Sequence, residues 1–102
     1  LKALAHFVLG AIMVTASAYT PFECGNGGVA SDGSKAVAGC TVAVSRDLKH
    51  LIGKTIHIEG IGKRRVNDLM HKRWKCSVDI CVPNAKAANA FGRQVLKIQE
   101  VE

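Results

Sequence analysis

Past residue 40 the chain is built from short runs that alternate with a period of two, and glycine-bearing turns cut the runs before they grow long. Side chains on a strand point to opposite faces in turn, so this alternation belongs to strands with one dry face and one wet face. Thr41 to Ser45 alternates polar and apolar residues, and Lys54 to Glu59 sets Ile56 and Ile58 against Thr55, His57 and Glu59. Both read as half-buried strands. Gln94 to Val101 sets Leu96, Ile98 and Glu100 against Val95, Lys97 and Gln99, and Val66 to Asp68 and Val78 to Val82 are further strand candidates. Leu48 to Gly53 is long enough for one turn ended by glycine. Thr20 to Gly39, with Gly25, Gly27, Gly28, Gly33 and Gly39, reads as a loop. Asn84 to Phe91 alone has helical character: it follows Pro83, carries alanines and stops at Gly92. About six short strands with one short helix near the C-terminus predict an all-β fold, a small closed β-barrel rather than a layered α/β sheet.

The length leaves little core to spare. A chain of 102 residues makes one domain, and a domain of that size buries only about 60 to 65% of its unfolded surface, so it gains from crosslinks. Cys24, Cys40, Cys76 and Cys81 include no Cys-x-x-Cys pair, which argues against zinc and for a disulfide framework with three possible connectivities. A Cys24 to Cys40 bridge would close the glycine-rich loop and contribute roughly 3 kcal/mol. Hydrophobic residues at 48% and charged residues at 22% exclude a disordered chain. The 14 basic against 8 acidic residues, net +6, favour a polyanionic partner.

The first eighteen residues differ in kind. Lys2 precedes the apolar run Ala3 to Thr15, and Ala16-Ser17-Ala18 follows it, the layout of a secretory signal peptide. The run is short of the roughly 20 apolar residues that a membrane span needs. Two readings stand: residues 1–18 are a cleaved leader or short membrane anchor, or Met13 to Tyr19 forms the first strand of the fold. The expected organisation is therefore 1–18 as leader, overlapping a first strand, and 19–102 as the barrel domain. Export to a periplasm or cell exterior agrees with disulfide-bonded cysteines.

The order of residues resembles a known family. Ala18-Tyr19-Thr20 before the glycine-rich loop, Val42 to Asp47, Leu51 to Gly60, Val66-Asn67-Asp68, Val78-Asp79-Ile80 and the closing AANAFGRQV of Ala87 to Val95 are similar to the 3D, or three-aspartate, domain. Asp47, Asp68 and Asp79 occur in order, spaced by 21 and 11 positions. The resemblance covers about residues 13–99 and implies a six-stranded double-psi β-barrel. It also implies peptidoglycan cleavage of the lytic transglycosylase A and stationary-phase survival protein type, at the MurNAc to GlcNAc β-1,4 bond, leaving a 1,6-anhydro sugar. Asp79 would then be general acid and base, with Asp68 beside it and Asp47 holding a loop or orienting Asp68.

The residues support such chemistry on their own terms. In Val78 to Val82 the apolar side chains share one face and Asp79 shares the other with Cys81, which turns Asp79 toward a surface groove. A second carboxylate nearby, Asp68, is expected to raise the pKa of Asp79 by like-charge repulsion. One acid suffices when the sugar's own 6-hydroxyl replaces water as nucleophile. Purely structural readings run alongside: Asp47 capping a turn, Asp68 ending a strand, Asp79 pairing with Arg93.

One stretch departs from the family. Where many 3D enzymes carry a Gly-Gly segment after the second aspartate, this chain has Leu69 to Cys76, reading LMHKRWKC. Trp74 is a candidate sugar-stacking platform or a tryptophan covering the barrel edge, and Lys72 and Arg73 are candidates for meeting anionic peptide stems. Tyr19 lies where the family lines its groove. The expected partner is peptidoglycan, with transient membrane contact through residues 1–18, no nucleic acid, no metal or other cofactor, and a monomeric state. A second reading is a non-catalytic barrel that binds wall glycan or inhibits a partner enzyme, as related barwin- and expansin-like barrels do.

Overall fold

Six strands form the framework of the structure, a computed structural model describing residues 11–23 and 28–101. They are β1 (Ile12–Tyr19), β2 (Thr41–Val44), β3 (Thr55–Ile58), β4 (Gly62–Leu69), β5 (Ser77–Cys81) and β6 (Gln94–Val101), with one helix, α1 (Ala85–Phe91), between β5 and β6. They close into a barrel in the order β1-β5-β2-β4-β3-β6, with β6 returning to β1. The pairs β1/β5 and β2/β4 are parallel, and the other four contacts are antiparallel. A closed barrel leaves no open strand edge.

The alternation seen in sequence fills the interior. Val14, Val42, Val44, Ile56, Ile58, Val66, Val78, Ile80 and Ile98 all lie within 2% of full burial, in one cluster. Burying each such side chain contributes about 1.5–3 kcal/mol. Ile58 sits opposite Ile98 across the β3/β6 pair, while His57, one position earlier, is exposed. The expected helix forms: the Asn84 side chain accepts the Ala87 N–H at 2.8 Å, and Gly92 ends the helix at φ 64. Gly60, at φ 77, makes the tight turn from β3 into β4, closed by the Ile61 N–H to the Ile58 carbonyl.

Two expectations change, and one of two alternatives is seen. First, β2 is buried on both faces rather than half-buried, because Tyr19, Ala36 and Met70 pack with Ala43 in a second apolar cluster outside the barrel. Second, β1 begins at Ile12, so of the two readings of the N-terminal stretch the fold uses Met13 to Tyr19 as its first strand. Cleavage after Ala18 would remove that strand from between β5 and β6. Residues 1–10 lie outside the described residues, among which no helix is long and apolar enough to cross a membrane.

Third, the expected disulfide framework is not formed among the described residues. Cys40, Cys76 and Cys81 are free thiols, and Cys24 lies outside that set. Cys76 and Cys81 stand at opposite ends of β5, about 16 Å apart at the strand rise, far beyond the reach of a bridge. Cys81 is 1% exposed and packs as a small apolar residue in the outer cluster. The Cys76 thiol donates to the Met13 carbonyl at 3.3 Å.

Two measurements check this packing. Ile58→Ala should lower unfolding free energy by about 2–5 kcal/mol in urea titration. Burial pushes the Cys81 thiol above its ordinary value, so brief alkylation of the folded protein at pH 8, followed by peptide mapping, should label Cys40 and Cys76 and spare Cys81 until denaturant is added.

Candidate functional site

A single extra residue in β4 determines where Asp68 points. In the β2/β4 pair Val42 lies opposite Val66, yet Ala43 lies opposite Asp68, so Asn67 is bulged out of register. A bulge re-aims the residues that follow it. In regular register Asp68 would fall opposite Val44, whose side chain is fully buried inside the barrel. The bulge puts Asp68 on the outer face with Ala43 instead. Asn67 itself is fully buried, and its amide donates to Ser34 Oγ at 3.1 Å and the Lys35 carbonyl at 3.0 Å.

On the other side of β2, Ala43 lies opposite Asp79 of β5, and Asp79 lies opposite Ser17 of β1. Asp68, Ala43, Asp79 and Ser17 therefore form one row across four adjacent strands. The two aspartate backbones stand about 10 Å apart, two strand spacings, with the smallest side chain of β2 between them. Ser17 Oγ donates to Asp79 Oδ1 at 3.0 Å. Asp68 receives the Ser31 backbone N–H at 2.9 Å, the Ser31 hydroxyl and the Leu69 N–H at 2.9 Å. Both carboxylates are half-buried.

The loop that carries Ser31 is strapped along β4. Arg65 pairs with Asp32 at 2.8 Å, and the Asp32 N–H donates to the Asn67 carbonyl. Hydrogen bonding from Ser34, opposed by some desolvation, holds the Asp32 carboxyl below the usual range, and Arg65 adds to the effect.

The floor of the row is apolar. Tyr19, Ala36, Ala43, Met70 and Cys81 form the outer cluster, and Trp74 packs against it half-buried. Trp74 ends a tight turn, its N–H donating to the His71 carbonyl at 3.0 Å, with exposed Lys72 and Arg73 at the tip. The guanidinium carbons of Arg73 and Arg93 lie 5.2 and 4.9 Å from the centre of the Trp74 ring. Arg93, expected as a possible partner of Asp79, stacks on Trp74.

Asp47 works at a different junction. It lies in the 3-10 turn Arg46–Leu51, and its Oδ2 accepts the Cys76 N–H at 2.9 Å. Cys76 has φ 45, a left-handed backbone unusual for a residue with a side chain. Nearby, buried Ser45 accepts the Ser77 N–H on its hydroxyl at 2.9 Å. A hydrogen bond from Ser45, then one from Cys76, with Lys75 adding charge attraction, holds the Asp47 carboxyl below the ordinary value against some desolvation.

Thus the row brings Asp68 and Asp79 onto one outer face, with Tyr19 in the apolar floor and Trp74, Arg73 and Lys72 on a turn packed against it. Asp47 ties the end of β2 to the start of β5. Ser17, Ser31 and Asp32 escaped the sequence reading. Ser17 lies within the small-residue motif of the supposed leader, and the other two lie in a loop with no periodicity.

No family model matches the chain, and no curated protein does. Among solved structures the chain is similar to an apo expansin from Clavibacter michiganensis, with a TM-score of 0.66 over 90% of this chain at 19% identity. The match covers 50% of the expansin, so the chain spans about half its length. Together with the closed six-strand topology, that likeness makes the fold a double-psi β-barrel.

Acid titration tests the Asp47 junction. Its folded pKa is depressed, so its contribution to stability is complete above the unfolded value near pH 4 and is lost as pH falls through the folded value. Asp47→Asn should be less stable than wild type at pH 7, and the gap between them should close on acidification. A gap that stays constant from pH 7 to pH 2 would contradict this role for Asp47.

Proposed function

We propose that the protein is an exported, cell-wall-directed barrel of the 3D type that cleaves the MurNAc to GlcNAc bond of peptidoglycan as a lytic transglycosylase. The observation that carries the reading is the row Asp68, Ala43, Asp79, in which two aspartates flank an alanine on the outer face above an apolar floor. Ala43 is covered by Tyr19, Ala36 and Met70, so a sugar ring would lie over that apolar cover, with the carboxylates to either side. The resemblance of Val78-Asp79-Ile80 and AANAFGRQV to the 3D domain supports the same assignment, while the fold's likeness to an expansin agrees only with the coarser reading of a cell-wall-directed barrel.

In this reaction Asp79, protonated, gives its proton to the glycosidic oxygen, and the bond from that oxygen to the anomeric carbon breaks with its electrons going to the leaving group. The oxocarbenium-like carbon is captured by the 6-hydroxyl of the same sugar. Asp79, now a carboxylate, takes that hydroxyl's proton, and the 1,6-anhydro ring closes with the acid restored. Ser17 fixes the Asp79 carboxyl through one oxygen. Asp68, held by Ser31, keeps the neighbouring loop at the edge of the groove.

Incubation with purified sacculi and mass spectrometry of the released muropeptides tests the reading. Wild type should release 1,6-anhydro products. Asp79→Asn should reduce them at least about a hundredfold, the lower end of a general acid's contribution. Ser17→Ala should retain partial activity. Absence of anhydro product from wild type, with sacculus binding intact in Asp79→Asn, would instead favour the non-catalytic glycan-binding barrel.

A further inference from the structure

Trp74 was the natural candidate for a sugar-stacking platform, yet the ring already carries two guanidinium groups, those of Arg73 and Arg93. The arginines come from distant parts of the chain, one at the tip of the β4 to β5 connection and one just before β6. Both are exposed. Among the described residues neither has a carboxylate within ion-pair distance, whereas Lys54 and Arg65 are paired with Glu100 and Asp32.

A guanidinium stacked on an aromatic ring loses side-chain freedom without using its in-plane N–H donors. Those donors remain available as a fork for a planar oxyanion. The Trp74 ring itself packs against the outer apolar cluster to which Ala43 of the aspartate row belongs, and it holds the two forks on that side of the barrel. We propose that Arg73 and Arg93, ordered by Trp74, form a carboxylate clamp that makes the groove select a carboxylated glycan over a neutral one. Trp74 is then a positioning residue for the arginines. The clamp rests on the glycan-directed reading above and assigns it a polymer class, an acidic polysaccharide or one bearing acidic peptides.

Sedimentation binding in an Asp79→Asn background separates recognition from cleavage. The probes are intact sacculi, sacculi with carboxyls converted to amides, sacculi stripped of phosphodiester polymers, and chitin, which shares the β-1,4 linkage and lacks carboxylates. Arg73→Gln with Arg93→Gln should weaken binding to intact sacculi at least roughly tenfold, the scale of lost charge-assisted hydrogen bonds. Amidation should do the same to the parent, and chitin binding should be weak and insensitive to the arginine changes. Trp74→Phe should keep the preference and Trp74→Leu should lose it, while Arg93→Lys should restore only part, because an ammonium lacks the planar fork.

Unchanged binding by the double arginine variant, or equal affinity for amidated and intact sacculi, would overturn the clamp. So would a loss that follows removal of phosphodiester polymers instead of amidation. Failure of wild type to release anhydro product counts against the lyase reading alone and leaves these binding outcomes to be judged separately.

Discussion

The site hangs on β2, a strand of four residues hydrogen-bonded on both sides. Its inner residues, Val42 and Val44, are fully buried in the barrel, and its outer residue Ala43 lies between a parallel neighbour carrying Asp68 and an antiparallel neighbour carrying Asp79. The register of β2 sets the separation of the two carboxylates. A slip of one residue would exchange Ala43 for a valine and turn the valine's partners outward. The dry interior resists that slip, so the hydrophobic core acts directly as a constraint on site geometry.

Much of the barrel was legible. The period-two runs marked β3 and β6 closely, because each has one wet face and a register fixed by its isoleucines. Asn84, Pro83 and Gly92 delimited the helix through local chemistry alone. Less legible was whatever depended on contacts between distant segments. The double burial of β2 comes from Tyr19, Ala36 and Met70, of which only Ala36 is near it in sequence. The bulge at Asn67 escaped the reading although Val66-Asn67-Asp68-Leu69, two polar residues between two apolar ones, breaks the period of two. Asp68 and Asp79 were singled out by spacing, but their actual partners Ser31 and Ser17 lie in stretches read as loop and leader. The cysteines misled because their even number suggested pairing, while the strand between Cys76 and Cys81 holds those two apart.

The outer face of the row mixes charges in a segregated way. Aspartates occupy the strand row, where backbone register positions them, and arginines occupy the turn and strand entrance around Trp74. Asp32 and Asp47 sit away from the row and are absorbed by loop and junction contacts, so each carboxylate has a definable local task. The net charge of +6 therefore need not act as a diffuse attraction for polyanions; part of it is gathered on one aromatic ring.

The parallel pairing of β1 with β5 also governs the order in which the chain can assemble. Thr15 meets Ser77, and Ile12 meets Ile98, so the first strand finds its neighbours only when nearly the whole sequence is present. Such high contact order slows folding, because loop closure precedes any stabilising contact. A chain emerging from a ribosome could form the local β3/β4 hairpin early, but the barrel could shut, with β1 between β5 and β6, only after the last strand had appeared.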